Sequence, residues 1–323
     1  MKRIAILCSG GDSQGMNTSI KTIVDMCSIY NIEVLGAWYG YKGLLEGNMH
    51  PLKPKDVVNI ANLGGCYLRV ARAPEFHSKE GVKKAAQVIR DNNIDCVVAI
   101  GGNGTFRGCM ELIKEGINVI GIPGTIDNDL FYTERTLGFD TAVNNAVRAI
   151  DDIRQTMEAN NRACVIEVMG RECGDIALSV AVAVQAHSVA VVEADSTIAG
   201  IVSDVKKCLE QGATKAPIVV ISEACHFSIE DVQAALEKEL NIDTRGMNLS
   251  YLLRGGAPSV EDRKLATSLG IMAVELVNKN KFNVALGVYN NRYFSLDFKK
   301  AVAVEQEFDF KLLQQLRELY RLN

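Results

Sequence analysis

The stretch DCVVAIGGNGTFRG, residues 95–108, decides the fold. Its first part, Asp95–Ile100, is apolar after the aspartate and rich in β-branched residues, which is typical of a parallel strand buried on both faces. The glycine-rich loop Gly101–Thr105 follows at once, and a helical pattern runs over Arg107–Glu115. A buried strand, a glycine loop and a helix in succession predict one unit of an open parallel α/β sheet.

The same alternation continues in both directions along the chain. Seven further runs are predicted as strands: Lys2–Cys8, Glu33–Trp38, Asn118–Ile122, Ala163–Val168, Val189–Glu193, Ile218–Ser222 and Asn283–Val288. Amphipathic patterns predict seven further helices: Met16–Tyr30, Gly81–Arg90, Thr141–Met157, Ile201–Glu210, Ile229–Glu239, Val260–Asn278 and Phe310–Tyr320. Strands that alternate with helices imply right-handed crossovers and mostly parallel sheets.

Length and composition set the class of protein. A chain of 323 residues exceeds the size at which a single core usually splits, so two domains are expected. The boundary is placed around Gly138, before a long helix, and the chain is expected to return to the first domain near Leu253–Pro258. A hydrophobic content of 48% and a charged content of 23% are typical of a globular protein.

Charge and hydropathy argue against several kinds of partner. The formal charge of −4 and the lack of any run of Lys or Arg disfavour nucleic acid and anionic membrane surfaces. No stretch approaches the roughly 18 uninterrupted apolar residues of a membrane span. The nine cysteines are scattered singly, which indicates a reducing compartment, and we expect the cytoplasm.

Three glycine-rich loops follow predicted strands, at Ser9–Asn17, Gly101–Gly108 and Pro123–Asp129. Each alone is best explained as a tight turn. Ligands of open parallel sheets gather beyond the carboxyl ends of the strands, and glycine lets backbone amides approach phosphate closely. Three such loops together therefore favour a phosphate-binding cleft. None matches the P-loop or the dinucleotide fingerprint, which disfavours a P-loop NTPase and a nicotinamide dehydrogenase.

The third loop carries two carboxylates, Asp127 and Asp129, on either side of Asn128. Solvated turn acids are the ordinary explanation. In a cleft that binds phosphate, however, an acid needs a proton to accept or a cation to hold. Phosphoryl transfer uses both, a carboxylate near the attacking hydroxyl and a metal on the donor phosphates. Five arginines in loops or at strand ends offer matching guanidinium groups: Arg72, Arg162, Arg171, Arg245 and Arg254.

Five motifs together resemble the bacterial ATP-dependent 6-phosphofructokinases. They are GGDxxGxN at 10–17, GGNGT at 101–105, PGTIDND at 123–129, VMGR at 168–171 and RGG at 254–256. The resemblance runs from residue 1 to about residue 300. It implies two Rossmann-like, three-layer αβα domains with mostly parallel sheets. It also implies transfer of the γ-phosphoryl group of ATP to the 1-hydroxyl of fructose 6-phosphate, a step of glycolysis.

The resemblance also implies roles for individual residues. Asp127 would be the general base, and Thr125 and Arg171 would stabilise the transferring group. The nucleotide would be lined by Gly11, Tyr41, Arg72, Ala73, Gly102, Asn103, Gly104, Thr105 and Gly108. The sugar phosphate would be held by Thr125, Asp127, Asp129, Arg162, Met169, Gly170, Arg171, Glu223, Arg245, Tyr251 and Arg254. Mg²⁺ would lie at Asn103, weakened by the loss of a charge, and at Asp129.

The same resemblance implies the organisation of the molecule. Residues 1–138 with about 253–300 would bind the nucleotide, and residues 139–252 with about 301–323 would bind the sugar phosphate. Arg162 and Arg245 would reach in from a neighbouring subunit, so a homotetramer with shared active sites is expected. Pyrophosphate-using relatives carry Asp and Lys at the positions of Gly104 and Gly124, and glycine at both favours ATP.

Four positions depart from the family pattern: Asn103 replaces an acid, Tyr251 replaces a histidine, and Ala73 and His77 differ on one loop. The family's effector site is also altered, at Lys21, Asp25, Pro54, Arg154, His187 and Gln211, with Lys215 retained. Weak or absent regulation by ADP and phosphoenolpyruvate is therefore expected. Two alternatives stay open, a weakly active paralogue serving as a regulatory subunit and a kinase of another ketose phosphate.

Overall fold

The computed structural model describes residues 1–319, which form twelve strands and eleven α-helices. The strands are β1 (Arg3–Ser9), β2 (Glu33–Ala37), β3 (Met49–Pro51), β4 (Cys96–Gly101), β5 (Val119–Thr125), β6 (Leu137–Gly138), β7 (Ala163–Val168), β8 (Ser188–Ala190), β9 (Ile218–Ser222), β10 (Thr244–Asn248), β11 (Val284–Tyr289) and β12 (Arg292–Asp297). The helices are α1 (Met16–Ile29), α2 (Tyr41–Glu46), α3 (Lys79–Asp91), α4 (Asn103–Lys114), α5 (Phe139–Asn160), α6 (Asp175–Ala183), α7 (Ile198–Glu210), α8 (Ile229–Leu240), α9 (Val260–Asn278), α10 (Phe298–Ala301) and α11 (Phe310–Leu319).

The chain forms two compact units. Unit 1 comprises Met1–Thr141 and Arg254–Glu305, and unit 2 comprises Ala142–Leu253 with the described residues from Gln306 onward. The boundaries expected at about 138, 253 and 300 lie near the ends of these units. The C-terminal residues 320–323 of the second expected domain, and the end of the last predicted helix at Tyr320, lie outside the described residues.

Unit 1 is built on one large sheet. Its strand order is β12-β11-β5-β4-β1-β2-β3, with β6 pairing β5. All pairings are parallel except those of β3 with β2 and of β12 with β11. The central strands β5, β4 and β1 are therefore parallel neighbours, so their carboxyl ends lie side by side at one edge.

The core of unit 1 explains the uninterrupted apolar strands. Successive side chains of β1 enter two different clusters, with Ile4 and Ile6 on one face of the sheet and Ala5 and Leu7 on the other. Helices α1 and α9 cover the first face, and α3, α4 and α10 cover the second. A strand buried on both faces needs no polar alternation, as was predicted from the sequence.

Unit 2 contains a four-stranded sheet in the order β10-β7-β9-β8, parallel throughout. Helices α7 and α8 pack on one face through Ile201, Val205 and Val232, which meet Val165 and Val219 of the strands. Helix α6 packs against β8 and β9. The α/β class with mostly parallel sheets is confirmed for both units.

Several elements were missed in the sequence. Strand β12 is an edge strand whose residues are mostly exposed, joined to β11 by a turn with Asn290 and Asn291 at φ 49° and 57°. Two left-handed asparagines are a hairpin signal that could have been used. Helix α6 is apolar on nearly every side and shows no amphipathic period. The predicted strand Val189–Glu193 is shorter, because β8 gives way to a 3₁₀ turn at Val192–Ala194. Strands β3, β6 and β10 and the short helices α2 and α10 were also missed.

Among residues 1–319, no helix combines the length and the apolar character needed to cross a membrane.

Candidate functional site

The first two glycine loops touch each other at the carboxyl ends of β1 and β4. The buried Thr105 hydroxyl donates to the carbonyl of Ser9 at 2.9 Å. A Cβ atom on Gly101 would lie 2.2 Å from Thr105 Oγ1 and 2.5 Å from the Ser9 carbonyl, so only glycine fits there. The backbones of the two loops are thus packed together, which brings their amide groups to one place.

The second loop runs directly into the N-terminus of α4. Gly102 is the N-cap residue and has no side chain to cover the amides of Asn103, Gly104 and Thr105. The first amides of a helix lack intrahelical partners and carry partial positive charge, so they attract anions. A Cβ atom added to Gly104 would meet nothing within 4 Å, so the surface beside this helix end is open.

The acidic turn follows β5, the next strand of the sheet. Thr125 Oγ1 accepts a hydrogen bond of 3.1 Å from the amide of Asp127. Asn128 has a left-handed φ of 54°, and its Oδ1 accepts from the amide of Thr136 at 3.1 Å. The Thr136 hydroxyl donates to the carbonyl of Thr125 at 2.6 Å. These bonds fix the turn, with Asp127 half-buried and Asp129 buried at 9% exposure.

Asn103 joins the second loop to the acidic turn. Its Nδ2 donates to Asp129 Oδ2 and to the Asp129 carbonyl, both at 2.9 Å. The two predicted metal ligands therefore bind each other. Within the described residues, no group of three or more His, Cys, Asp and Glu side chains could hold a metal ion. Mg²⁺ is commonly bound by one or two carboxylates together with substrate phosphates. The Asp129 carboxylate is a ligand of this kind, whereas the Asn103 amide carries no negative charge.

Arg254 lies beside the first loop. Its Nη2 is 2.6 Å from Asp12 Oδ1, and a Cβ atom on Gly11 would approach the same nitrogen to 2.4 Å. The guanidinium group is thus pressed against the glycine backbone and held by a carboxylate. Asp12 was not predicted as a site residue from the sequence, but it positions Arg254, which was.

Tyr41 supports the second loop by packing. It is 4% exposed, and its hydroxyl donates to the carbonyl of Thr105 at 2.6 Å. Its ring stacks on Phe76 at 4.0 Å between centroids, and a Cβ atom on Gly108 would meet it at 2.7 Å. Arg72 is exposed beside this stack and Ala73 is half-buried.

The remaining predicted residues belong to unit 2. Glu223 Oε1 accepts from the amides of Gly170 at 3.0 Å and Arg171 at 2.7 Å. Arg171 has a left-handed φ of 56°, and its side chain is exposed. Met169 is half-buried at the same strand end. Glu223 thus fixes the backbone of the VMGR motif and leaves the Arg171 side chain in solvent.

Arg162 and Arg245 share one carboxylate that sequence reasoning missed. Arg162 Nε is 2.6 Å from Asp243 Oδ2, and Arg245 Nη2 is 3.1 Å from the same oxygen. The parallel pairing of β10 with β7 places the two arginines side by side at one end of the sheet. Asp243 therefore presents two guanidinium groups together. Tyr251 is 76% exposed on the 3₁₀ turn that follows β10, beyond the opposite end of that strand from Arg245.

A third missed carboxylate, Asp262, is buried at 1% exposure in unit 1. It accepts from the amides of Gly138 and Thr141, each at 2.9 Å, and from the Thr141 hydroxyl. Burial raises the pKa of this carboxyl group. Gly138 pairs with Thr125, so Asp262 secures the strand that supports the acidic turn. A signal was available, because Ser259 caps α9 three residues before Asp262.

Known proteins resemble this chain along its whole length. The family model described as phosphofructokinase matches residues 3–277. An ATP-dependent 6-phosphofructokinase of Lactobacillus delbrueckii subsp. bulgaricus is 38% identical over 321 residues, covering 99% of this chain and 100% of the relative. A protein of the same name from Clostridium tetani is 40% identical over 319 residues, covering 99% of each chain.

A solved structure shares the fold. The phosphofructokinase from Saccharomyces cerevisiae superposes with a TM-score of 0.86 at 27% identity. The match covers 100% of this chain and 47% of that chain, so this protein spans about half of that larger one. The family model, the relatives that match over nearly the whole chain and the solved structure all indicate the same family. The chain belongs to the phosphofructokinase family.

Proposed function

We propose that this protein transfers the γ-phosphoryl group of ATP to the 1-hydroxyl of fructose 6-phosphate. The observation that carries this proposal is the contact between the helix N-terminus at Asn103 and the acidic turn at Asp129. It puts a phosphate-binding backbone and a carboxylate-bearing turn within one hydrogen bond of each other. The full-length similarity to ATP-dependent 6-phosphofructokinases supports the same activity.

Backbone amides beside an open surface form the proposed binding site for ATP, the phosphoryl donor. The amides of Gly102–Thr105 and the positive end of α4 would bind the ATP phosphates. Apart from its chain neighbours and the backbone of α4, a Cβ placed on Gly104 would meet nothing within 4 Å, so an α-phosphate has room there. At Gly124 a Cβ would lie 2.9 Å from Ile100 Cγ2, so the lysine of pyrophosphate-using relatives would not fit without rearrangement. Both positions favour ATP.

On the acceptor side, Asp127 is the general base. It is half-buried on a turn whose backbone is fixed by Thr125 and Asn128. Because the turn is fixed, the Asp127 carboxylate would be held in place to accept the proton of the sugar hydroxyl. Thr125 and Arg171 would stabilise charge on the transferring group. Arg162, Arg245 and Arg254 would bind the sugar phosphate, with Met169, Gly170, Glu223 and Tyr251 beside it.

Mg²⁺ would accompany ATP, held by Asp129 and the nucleotide phosphates, and would neutralise charge on the donor. Asn103 would orient Asp129 through hydrogen bonds. We further place the protein in the cytoplasm as a homotetramer, with Arg162 and Arg245 acting in a neighbouring subunit's site.

A coupled assay with ATP, Mg²⁺ and fructose 6-phosphate tests the proposal. Wild-type protein should form the bisphosphate, and D127N should lose about 10²–10⁴-fold in kcat while still binding ATP. D152N, which neutralises an exposed carboxylate of α5, is the matched control and should keep full activity. An inactive wild type that still binds ATP would favour a regulatory paralogue. Activity only with another ketose phosphate in a panel would favour the third interpretation.

Regulation by ADP or phosphoenolpyruvate should be weak. Lys21 is paired with Asp25 on α1, and Arg154 donates to the carbonyl of Val184. His187 is half-buried, and its Nδ1 accepts from the amide of Ile218 at 3.0 Å. These side chains are engaged within their own units, and Asp25 adds like charge against phosphate. A titration with phosphoenolpyruvate should leave the sugar dependence hyperbolic, and a strong sigmoidal shift would contradict this.

A further inference from the structure

A buried glutamine connects the first glycine loop to a segment far along the chain. Gln14 stands at an unspecified position of the GGDxxGxN motif, and no role was predicted for it from the sequence. Its side chain is fully buried, and its Nε2 donates to the carbonyl of Gly255 at 2.8 Å. Both residues belong to unit 1, although 241 positions separate them along the chain. Because Gly255 directly follows Arg254, the bond fixes the backbone beside that arginine.

The arginine side chain is held by the same loop. Arg254 Nη2 donates to Asp12 Oδ1 at 2.6 Å and to the Asp12 carbonyl at 3.3 Å. Arg254 Nε donates to the same carbonyl at 3.4 Å. Asp12 therefore fixes the guanidinium group, and Gln14 fixes the backbone from which the arginine extends.

The far end of this RGG segment, residues 254–256, is packed against a third part of unit 1. A Cβ atom on Gly64 would lie 2.2 Å from the carbonyl oxygen of Gly256, so the two backbones approach closely. Asn17 of α1 is 3% exposed, and its Nδ2 donates to the carbonyl of Gly64 at 3.1 Å. The RGG segment is thus held at each of its three residues, and Gln14 provides the hold in the middle.

We propose that Gln14 is a positioning residue for the sugar phosphate, acting through Gly255 on Arg254. The inference rests on the proposed function, in which Arg254 binds that phosphate. A hydrogen bond from a guanidinium group to phosphate depends on distance and angle, and ordering a loosened segment at the moment of binding costs affinity. Gln14 reduces this cost because it orders the backbone before the sugar arrives. Its bond does not involve the amides of residues 102–105 that are assigned to ATP.

Q14M tests the proposal, because methionine is similar in length to glutamine but donates no hydrogen bond. The KM for fructose 6-phosphate should rise about three- to tenfold, while kcat and the KM for ATP should stay within about twofold of wild type. A general loss of structure would change all three values. The split between them therefore distinguishes positioning of the sugar from damage to the whole protein.

Q14E is the conservative variant that should restore the function. A buried carboxyl group stays protonated to higher pH than an exposed one, and its hydroxyl can then donate to the carbonyl of Gly255. The KM of Q14E for fructose 6-phosphate should therefore fall towards the wild-type value as the pH is lowered. Q14M in the same buffers shows how much of the change comes from the substrate or from other groups. Parallel pH profiles of Q14E and Q14M would contradict the role of the donor.

S19A is the matched control. Ser19 is fully buried in α1, and its hydroxyl donates to the carbonyl of Ala266 in α9 at 3.3 Å. This bond also joins the N-terminal part of unit 1 to its C-terminal part, but it does not involve the RGG segment. S19A should lose stability and keep the wild-type KM for fructose 6-phosphate. An equal rise of this KM in S19A and Q14M would overturn the proposal.

Hydrogen exchange separates this proposal from the proposed function, because it requires no turnover. The amides of residues 254–257 should exchange about threefold or more faster in Q14M than in wild type and S19A. Unchanged exchange, or an unchanged KM for fructose 6-phosphate in Q14M, would overturn the positioning role and leave the kinase assignment standing. An inactive wild type would contradict the proposed kinase. Calorimetric titration with fructose 6-phosphate then makes the same comparison of Q14M with wild type as a Kd, and equal Kd values would overturn the positioning role.

Discussion

The side-chain amide of Asn103 donates to both the carboxylate and the main-chain carbonyl of Asp129, each at 2.9 Å. These bonds connect the N-terminal end of α4 to the acidic turn, and Asn103 contributes no charge to the contact. A carboxylate at position 103 would face the Asp129 carboxylate across the same gap. Two like charges at hydrogen-bond distance repel unless a proton or a cation lies between them. The amide therefore does in this chain, by hydrogen bonding, what a cation would do between two acids.

The first prediction concerns N103D. The substitution removes two donors and adds a like charge, so the metal-free protein should lose about 1–3 kcal/mol of folding free energy. Mg²⁺ or Mn²⁺ alone should raise the thermal midpoint of N103D and leave that of the wild type unchanged, as measured by calorimetry without nucleotide.

N103A is the control for that experiment, because it removes the donors without adding charge. It should be destabilised and should not respond to the metal. In the kinase assay, N103D should turn over faster than wild type at limiting Mg²⁺. Equal metal responses of N103D and N103A would contradict the interpretation.

The second prediction concerns the choice of phosphoryl donor at Gly104. G104D should weaken ATP binding at least about tenfold, because a carboxylate would stand where the α-phosphate is expected. G104A should bind ATP normally and be slightly more stable, since alanine is favoured over glycine in a helix by about 0.5–1 kcal/mol and its Cβ meets nothing within 4 Å. Isothermal titration of both variants measures this. Equal ATP affinity of G104D and wild type would show that position 104 does not select the donor.

The third prediction is a loss of stability in acid through His187. Burial and the nearby Arg154 guanidinium lower the pKa of this imidazole to about 4, whereas an unfolded histidine titrates near 6.5. The unfolded chain therefore binds more protons between these values. Stability from this group is fully present above pH 6.5 and is lost as the pH falls towards 4, by at most about 3 kcal/mol.

Urea unfolding at a series of pH values measures the effect. In H187N an amide oxygen can replace Nδ1 as the acceptor from Ile218, so this part of the pH dependence should disappear. H50N alters an exposed histidine and should retain it. A pH profile of H187N that matches the wild type would contradict the assignment.

The fourth prediction concerns Asp262. Because D262A would leave the amides of Gly138 and Thr141 and the Thr141 hydroxyl without their buried acceptor, it should cost about 3 kcal/mol or more. S228A removes the cap of α8 in unit 2 and should cost only about 1 kcal/mol. Chemical denaturation compares the two. A similar small loss for both variants would show that the buried carboxylate does not secure the β6–α5 junction.

Much of the fold followed from local pattern. Strands β1, β4 and β7 and helix α9 were predicted correctly. A strand buried on both faces is apolar throughout, and a helix with one buried stripe has apolar residues at helical spacing, so both patterns are visible in the local sequence. Helix α6 and strand β12 were not, because one is buried on nearly all sides and the other is an exposed edge whose partner is a neighbouring strand.

The sequence by itself determined that three glycine loops would follow parallel strands, and that the third loop would carry two carboxylates. Only the tertiary structure decided which side chains pair with one another. Asn103 bonds to Asp129, Asp12 to Arg254, Asp243 to Arg162 and Arg245, and Asp262 to the amide of Gly138. The physical reason is distance along the chain. Strand and loop patterns come from neighbours within a few residues, whereas these hydrogen bonds mostly join residues that meet only after the sheet has ordered its strands.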